Sequence, residues 1–180
     1  MARYVALLRG INVGGNNLIK MPALKDCFEA SGFEDVSTYI QSGNVIFAAP
    51  TSRAADLTGR IEEILVSTFD LPISVVLRSR AQMRRTVHGA PDGFGSEPDL
   101  YRYDVVFLKP PLHAKTAMRS VSIKPGVDEA HAGAGVLYFS RLSSRATQSR
   151  LNRIASAPVY RHMTIRNWNT TTRLLGLLEA

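Results

Sequence analysis

Three stretches of this sequence gather side chains able to recognise a ligand. Arg166-Asn167-Trp168 sets a guanidinium, an amide and the only tryptophan side by side. In a binding role Arg166 pairs with an anionic group and the Trp168 indole stacks on a base or packs a ring, with the Asn167 amide between them. In a structural role Asn167 or Asn169 caps a helix and Trp168 is buried against a sheet. The second stretch is Gly10 to Met21, preceded by Arg9 and containing Asn12, Gly14, Gly15, Asn16 and Asn17. It follows a strand pattern and precedes a helix, where backbone N–H groups and the helix dipole can hold a phosphate or carboxylate. At 12 residues it is long for such a connection, which usually takes ~2–6 residues. Its asparagines also favour ordered turns. The third stretch is Gln41-Ser42-Gly43-Asn44, whose residue types satisfy a tight hairpin turn and whose two amides could present donors and acceptors to a ligand edge.

Other reactive groups point away from several chemistries. The loop glycines do not form Gly-x-Gly-x-x-Gly and no Gly-Lys-Ser/Thr occurs, so neither the dinucleotide fingerprint nor the P-loop is supported. Ser42 lacks the Gly-x-Ser-x-Gly elbow of a nucleophile. His88, His113, His131 and His162 show no metal-ligand spacing, so no metal and no cofactor are expected. Glu62 and Glu63 are adjacent on a helical pattern, about 100° apart, and do not form a catalytic pair. Cys27 falls on an apolar stripe and reads as an inert core thiol.

The elements that must carry these groups follow from periodicity. Tyr4 to Leu8 reads as a buried strand; Pro22 opens a helix with Leu24, Cys27 and Phe28 on its apolar face, stopped at Gly32. Val36, Thr38 and Ile40, then Val45 and Phe47, alternate around the Ser42-Gly43-Asn44 turn as a hairpin. Leu57, Ile61, Ile64, Leu65 and Thr68 recur at helical spacing, and Ile73 to Leu77 is a β-branched strand. Ser79 and Gln82 form a capping box for a helix to His88, and turn formers crowd 90–99. The order then recurs: a strand over Tyr103 to Leu108, a helical stretch over His113 to Ser120, a hairpin of Val127 to His131 and Val136 to Phe139, a helix capped by Ser149 carrying Leu151, Ile154 and Ala155, and a strand over Val159 to Ile165. Thr171, Leu174, Leu175 and Leu178 mark a final amphipathic helix from near Asn167. The fold class is therefore α+β: two ferredoxin-like (βαββαβ) halves packed together, 1–90 and 91–180, each an antiparallel sheet with helices on one face, plus a C-terminal helix.

The 180 residues are 45% apolar and 21% charged, an ordinary globular balance. No uninterrupted apolar run exceeds five residues, against the ~18–20 needed to cross a bilayer, so no membrane role is expected. A single cysteine suits a reducing cytoplasm. The net charge of +7 is unevenly spread: residues 1–100 carry 10 basic and 11 acidic side chains, net −1, whereas residues 101–180 carry 12 and 4, net +8. In the last forty residues seven arginines face only Glu179. A basic half of this kind favours anionic partners.

Tyr4-Val5-Ala6-Leu7-Leu8-Arg9-Gly10-Ile11-Asn12-Val13-Gly14-Gly15, Tyr39-Ile40-Gln41-Ser42-Gly43-Asn44-Val45 and Thr164-Ile165-Arg166-Asn167-Trp168-Asn169-Thr170 together resemble the bacterial family catalogued as domain of unknown function 1697. The resemblance implies an α+β fold of two ferredoxin-like halves and no established activity. Similar proteins carry Ser-Lys-Leu where this chain has Ser149-Arg150-Leu151, which keeps the basic charge and adds Ser149 and Arg150 to the candidates.

Three functional readings follow. The first is a cytoplasmic binding module whose basic half takes a nucleotide, nucleic acid or other anionic ligand, with exposed aromatics drawn from Tyr4, Tyr39, Phe47, Tyr138 and Phe139. The second is an enzyme acting on a small phosphorylated or carboxylated substrate in a cleft between the halves lined by Arg9, Asn12, Gln41, Asn44, Arg166 and Asn167. In the third, a structural or interaction protein, these motifs only shape turns. The sequence does not fix the oligomeric state.

Overall fold

The computed structural model describes residues 1–180. It divides into two compact units, Met1–Met83 with Leu174–Ala180, and Arg84–Arg173.

In the first unit β1 (Ala2–Leu8), α1 (Met21–Ala30), β2 (Glu34–Tyr39), β3 (Asn44–Ala49), α2 (Ala54–Phe69) and β4 (Val75–Ser79) follow one another. The strands form an antiparallel sheet in the order β2-β3-β1-β4, the ferredoxin-like arrangement. Alternate residues Tyr4, Ala6 and Leu8, Val45, Phe47 and Ala49, and Val75 and Leu77 meet Leu24 and Phe28 of α1 and Leu57, Ile61 and Leu65 of α2 in one core. Phe28, Phe33 and Phe47 pack with ring centroids 4.8–5.5 Å apart. The intervening residues Val5, Leu7, Ile46, Ala48 and Val76 are buried as well. Burial on both faces makes these strands continuous apolar runs rather than alternating ones. Ile40 leaves the expected alternation: its φ of 50° puts it in the turn, and it is exposed.

A capping box closes α3 (Arg80–His88), with Ser79 N–H donating to Gln82 Oε1 and Gln82 N–H to Ser79 Oγ. The second unit then runs through β5 (Tyr101–Leu108), α4 (Ala114–Met118), β6 (Asp128–Ala132), β7 (Val136–Leu142), β8 (Met163–Asn167) and the first half of α5 (Trp168–Glu179), whose residues from Leu174 onward belong to the first unit. Its antiparallel order, β6-β7-β5-β8, repeats that of the first sheet. Val106, Leu108, Leu137, Phe139 and Met163 form its core with Ala117, Leu151 and Ile154.

Two expected elements differ. The helix expected from Ser149 is replaced by three short 3-10 stretches, Ser143–Gln148, Leu151–Ser156 and Pro158–His162, and the last of these takes the first residues of the strand expected over 159–165, so that β8 begins at Met163. Serine side chains there compete with the helix for backbone groups: Leu151 N–H donates to Ser149 Oγ and Ser156 Oγ donates to Arg153 O. Pro158 supplies no N–H to prolong a helix.

Asp128 anchors this irregular segment. Its Oδ2 accepts the N–H groups of Lys124 and Arg150, each at 2.8 Å. Burial opposes its ionisation, but the Ser149 hydroxyl, those two N–H groups and the charge of Arg141 outweigh it and hold the carboxyl below its ordinary value. A carboxylate depressed in the folded state contributes stability above its ordinary range and loses it as pH falls through the depressed value. Asp128→Ala is therefore expected to lower stability by about 2–3 kcal/mol at neutral pH, and denaturant titrations should show the deficit shrinking as the pH becomes strongly acidic.

Candidate functional site

Most of the motif residues in the first unit turn inward and hold the backbone. Asn12 Nδ2 donates to Ile19 O at 2.9 Å and to Gln41 O at 2.8 Å, while its Oδ1 accepts Ile19 N–H at 2.8 Å. Asn17 Nδ2 donates to Gly10 O at 3.0 Å. Both asparagines adopt left-handed backbone, φ 53° and 49°, which this residue type tolerates. The long loop is thus a closed, ordered structure tied to the β2–β3 turn, with Gly14 and Gly15 exposed at its tip. Asn44 is fully buried and donates to Tyr39 O and Ser42 Oγ. Gly43, at φ 84°, lies so close to the loop that a Cβ would come within 2.6 Å of Ile11. Arg9 is half-buried and Gln41 is exposed. Asn12 and Gln41 are brought together, through the Gln41 carbonyl rather than its side chain.

In the second unit Arg166 and its neighbours part company. Arg166 is buried, donates from Nη1 to Thr164 Oγ1 and Ile165 O at 2.9 Å each, and burial lowers its pKa to about 10. Asn167 Oδ1 accepts Thr170 N–H at 2.8 Å, capping α5. Arg150 is held through its backbone N–H on Asp128, and Ser149 through the Leu151 N–H. Of the aromatics expected to be exposed, Tyr4, Phe47, Tyr138 and Phe139 are core residues and Tyr39 is half-buried. Tyr138 donates to Thr86 O at 2.6 Å, and burial raises its pKa to about 12.

Trp168, by contrast, opens onto a cleft of about 370 Å³ with Tyr101, Tyr103, Arg102 and Arg141. The cleft exists because β8 stops where Asn167 pairs with Asp104, leaving Tyr101, Arg102 and Tyr103 paired on the β7 side alone. Phe94 wedges the aromatic group together: its ring lies 5.0 Å from Trp168 at 90°, 4.9 Å from Tyr103 and 5.3 Å from Tyr138, all edge-on. Tyr101 and Tyr103, two residues apart on one strand face, sit 6.0 Å apart. Gly95 passes so close to the indole that any side chain there would overlap it. Phe94, Tyr101, Tyr103 and Trp168 all remain half-buried, and Arg102, Asn167 and Asn169 are exposed.

The two tyrosines also line a neighbouring cleft of about 410 Å³ whose polar groups are acidic or amphoteric, Glu97, Glu129, His131 and Ser140. The basic side carries Arg141, whose Nη2 lies 3.6 Å from Asp104 Oδ2. Burial raises the Asp104 pKa above its ordinary value, against the opposing charges of Arg141 and Arg102. The cleft beside Trp168 thus presents the exposed guanidinium of Arg102, and the neighbouring one sets the same two tyrosines among carboxylate acceptors. Tyr101, Tyr103, Arg102, Arg141 and Phe94 were not among the sequence candidates. The signal that could have found the tyrosines is their spacing of two on a strand, which places both rings on one face.

The sequence pattern of the family described as "Protein of unknown function (DUF1697)" matches residues 1–138. The chain belongs to that family. The first two motifs that carried the resemblance lie within the match, and the third, Thr164 to Thr170, lies beyond it. A solved structure of a conserved bacterial protein from Streptococcus pneumoniae is similar to this DUF1697 chain, with 27% identity and a TM-score of 0.86 over 98% of each chain. No curated protein matches. No helix of the structure is long and apolar enough to cross a membrane.

Two outcomes test this division between scaffold and cleft. Gly43→Ala should cost about 2–4 kcal/mol in denaturant unfolding, combining left-handed backbone strain with overpacking against Ile11. A buried acid with a raised folded pKa gives stability that is full below the ordinary carboxylate range and is lost as pH rises through the raised value. Asp104→Asn should therefore raise the melting temperature at pH 7 and leave it unchanged near pH 3.

Proposed function

We propose that this DUF1697 protein is a cytoplasmic binding module for a nucleotide or a short single-stranded nucleic acid, and that the half spanning 91–180 carries the site. The observation that supports this reading is the half-exposed aromatic group of Tyr101, Tyr103 and Trp168, with Arg102 on one side and Glu97 and Glu129 on the other. Each component suits one part of a nucleotide. A base has a face to stack on tyrosine or tryptophan, its ring N–H and amino groups donate to carboxylates, and its phosphate meets an exposed guanidinium. The net charge of +8 over residues 101–180 extends the attraction beyond the cleft and favours a polyanion over an isolated small acid.

Stacking carries most of the expected affinity at the cleft, since loss of one stacking side chain costs about 1–3 kcal/mol. Equilibrium binding of fluorescent single-stranded DNA and RNA should be measurable at low salt and weaken steeply as salt rises. Tyr101→Ala should weaken it about tenfold or more with an unchanged melting temperature, and Arg102→Ala should reduce the salt slope by about one. Absence of binding at low salt for DNA, RNA and mononucleotides alike would remove the reading.

A further inference from the structure

The two units share a topology but differ in what covers one face of their sheets. In the first, the 16-residue α2 lays Leu57, Ile61 and Leu65 on the sheet. In the second, the segment between β7 and β8 is made of 3-10 stretches, of which Leu151–Ser156 buries only Leu151 and Ile154. A cleft of about 340 Å³ lies beside this thinner cover. Its walls are apolar, with Phe139 and Ile165 from the sheet and Ile154 and Tyr160 from the covering segment. One end is polar, and there the chemistry is specific: Asp104, Arg141 and Asn152.

These three side chains form a chain of contacts. Arg141 Nη1 donates to Asn152 Oδ1 at 2.9 Å and its Nη2 lies 3.6 Å from Asp104 Oδ2. Arg141 Nε is buried with no hydrogen-bond partner. The side chains of Arg141 and Asp104 are 18% and 25% exposed, so both charges are largely withdrawn from water yet still reachable. A ligand bearing only a carboxylate would meet Arg141 but be repelled by Asp104, and one bearing only an ammonium would meet the reverse. A head group carrying both signs satisfies both residues, its carboxylate on the guanidinium and its ammonium on the carboxylate. The volume is at the low end of the ~300–1,000 Å³ typical of small-molecule pockets, and the walls accept a short hydrocarbon body.

We infer that this cleft binds a small apolar zwitterion, an α-amino acid with an aliphatic side chain, held by Asp104 and Arg141 at its head and by Ile154, Ile165 and Tyr160 along its body. The site is separate from the stacking surface of Tyr101 and Trp168, although Asp104 and Arg141 border both clefts.

The test uses the full chain and three probes of matched hydrocarbon shape: leucine, 4-methylpentanoate and 3-methylbutylamine. Two-dimensional amide spectra should show leucine shifting resonances within 151–165 at millimolar concentration, with both single-charge probes weaker by about tenfold or more, because each sets its one charge beside the like-charged member of the Arg141–Asp104 pair with no opposite charge to offset it. Ala155→Trp fills the cleft from an exposed position, and it should abolish the leucine shifts while leaving the melting temperature and oligonucleotide binding intact. The inference is overturned if leucine moves no resonance in that segment, if either single-charge probe binds as well as leucine, or if Ala155→Trp still binds leucine. None of these results depends on whether the Tyr101–Trp168 cleft binds nucleic acid.

Discussion

Strand β5 begins at Tyr101, but β8 ends where Asn167 meets Asp104, and this mismatch in length shapes the chemistry of the second unit. Had β8 continued, residues 101–103 would be paired on both sides and their edge covered. Instead the chain turns into α5 at once, with Asn167 capping the helix and Trp168 as its first residue. The end of a strand, the start of a helix and the wedge at Phe94 therefore meet around two tyrosines that still face solvent. Because Gly95 lies against the indole, the loop carrying Phe94 has no room for a side chain there. The aromatic group is held by packing rather than by the mobility of long side chains, which lowers the entropy lost when a flat ligand is bound.

The internal duplication extends to single residues. Arg78 on β4 stands opposite Val5 of β1, and Arg166 on β8 stands opposite Val105 of β5. Each is buried, each donates from Nη1 to the carbonyl of the residue before it at 2.9 Å, and burial lowers the pKa of each to about 10. The repeated position gives Arg166 a scaffold role shared with Arg78. What distinguishes the halves is the cover of the sheet: a full helix in the first, 3-10 stretches pinned by Asp128 in the second.

Periodicity made the architecture legible. The four strands of each sheet and their order were readable twice because the buried strands are rich in β-branched and aromatic residues, and the helices of the first half because Pro22, Gly32 and the Ser79–Gln82 box punctuate them. Where side chains compete with the backbone, as from Ser143 to Pro158, the apolar spacing of Leu151 and Ile154 mimicked a helix that the local hydrogen bonding does not support. The site was less legible, for a different reason. Asparagine and glycine motifs draw attention as possible ligand contacts, yet Asn12, Asn44 and Gly43 spend their hydrogen bonds and their small size on holding a loop to a hairpin. Trp168 was visible as the sole tryptophan, whereas its partners Tyr101 and Tyr103 adjoin a turn-rich stretch. Their importance depends on where β8 stops, a matter of register that no local pattern encodes.

Because Trp168 is the only tryptophan, its fluorescence reports on this cleft alone. The most direct measurement is its emission during titration of the full chain with a short single-stranded oligonucleotide. Saturable quenching is expected, with a midpoint that coincides with binding followed on the oligonucleotide itself. Binding of the oligonucleotide with the Trp168 emission unchanged would contradict this, by placing the contact elsewhere on the basic half.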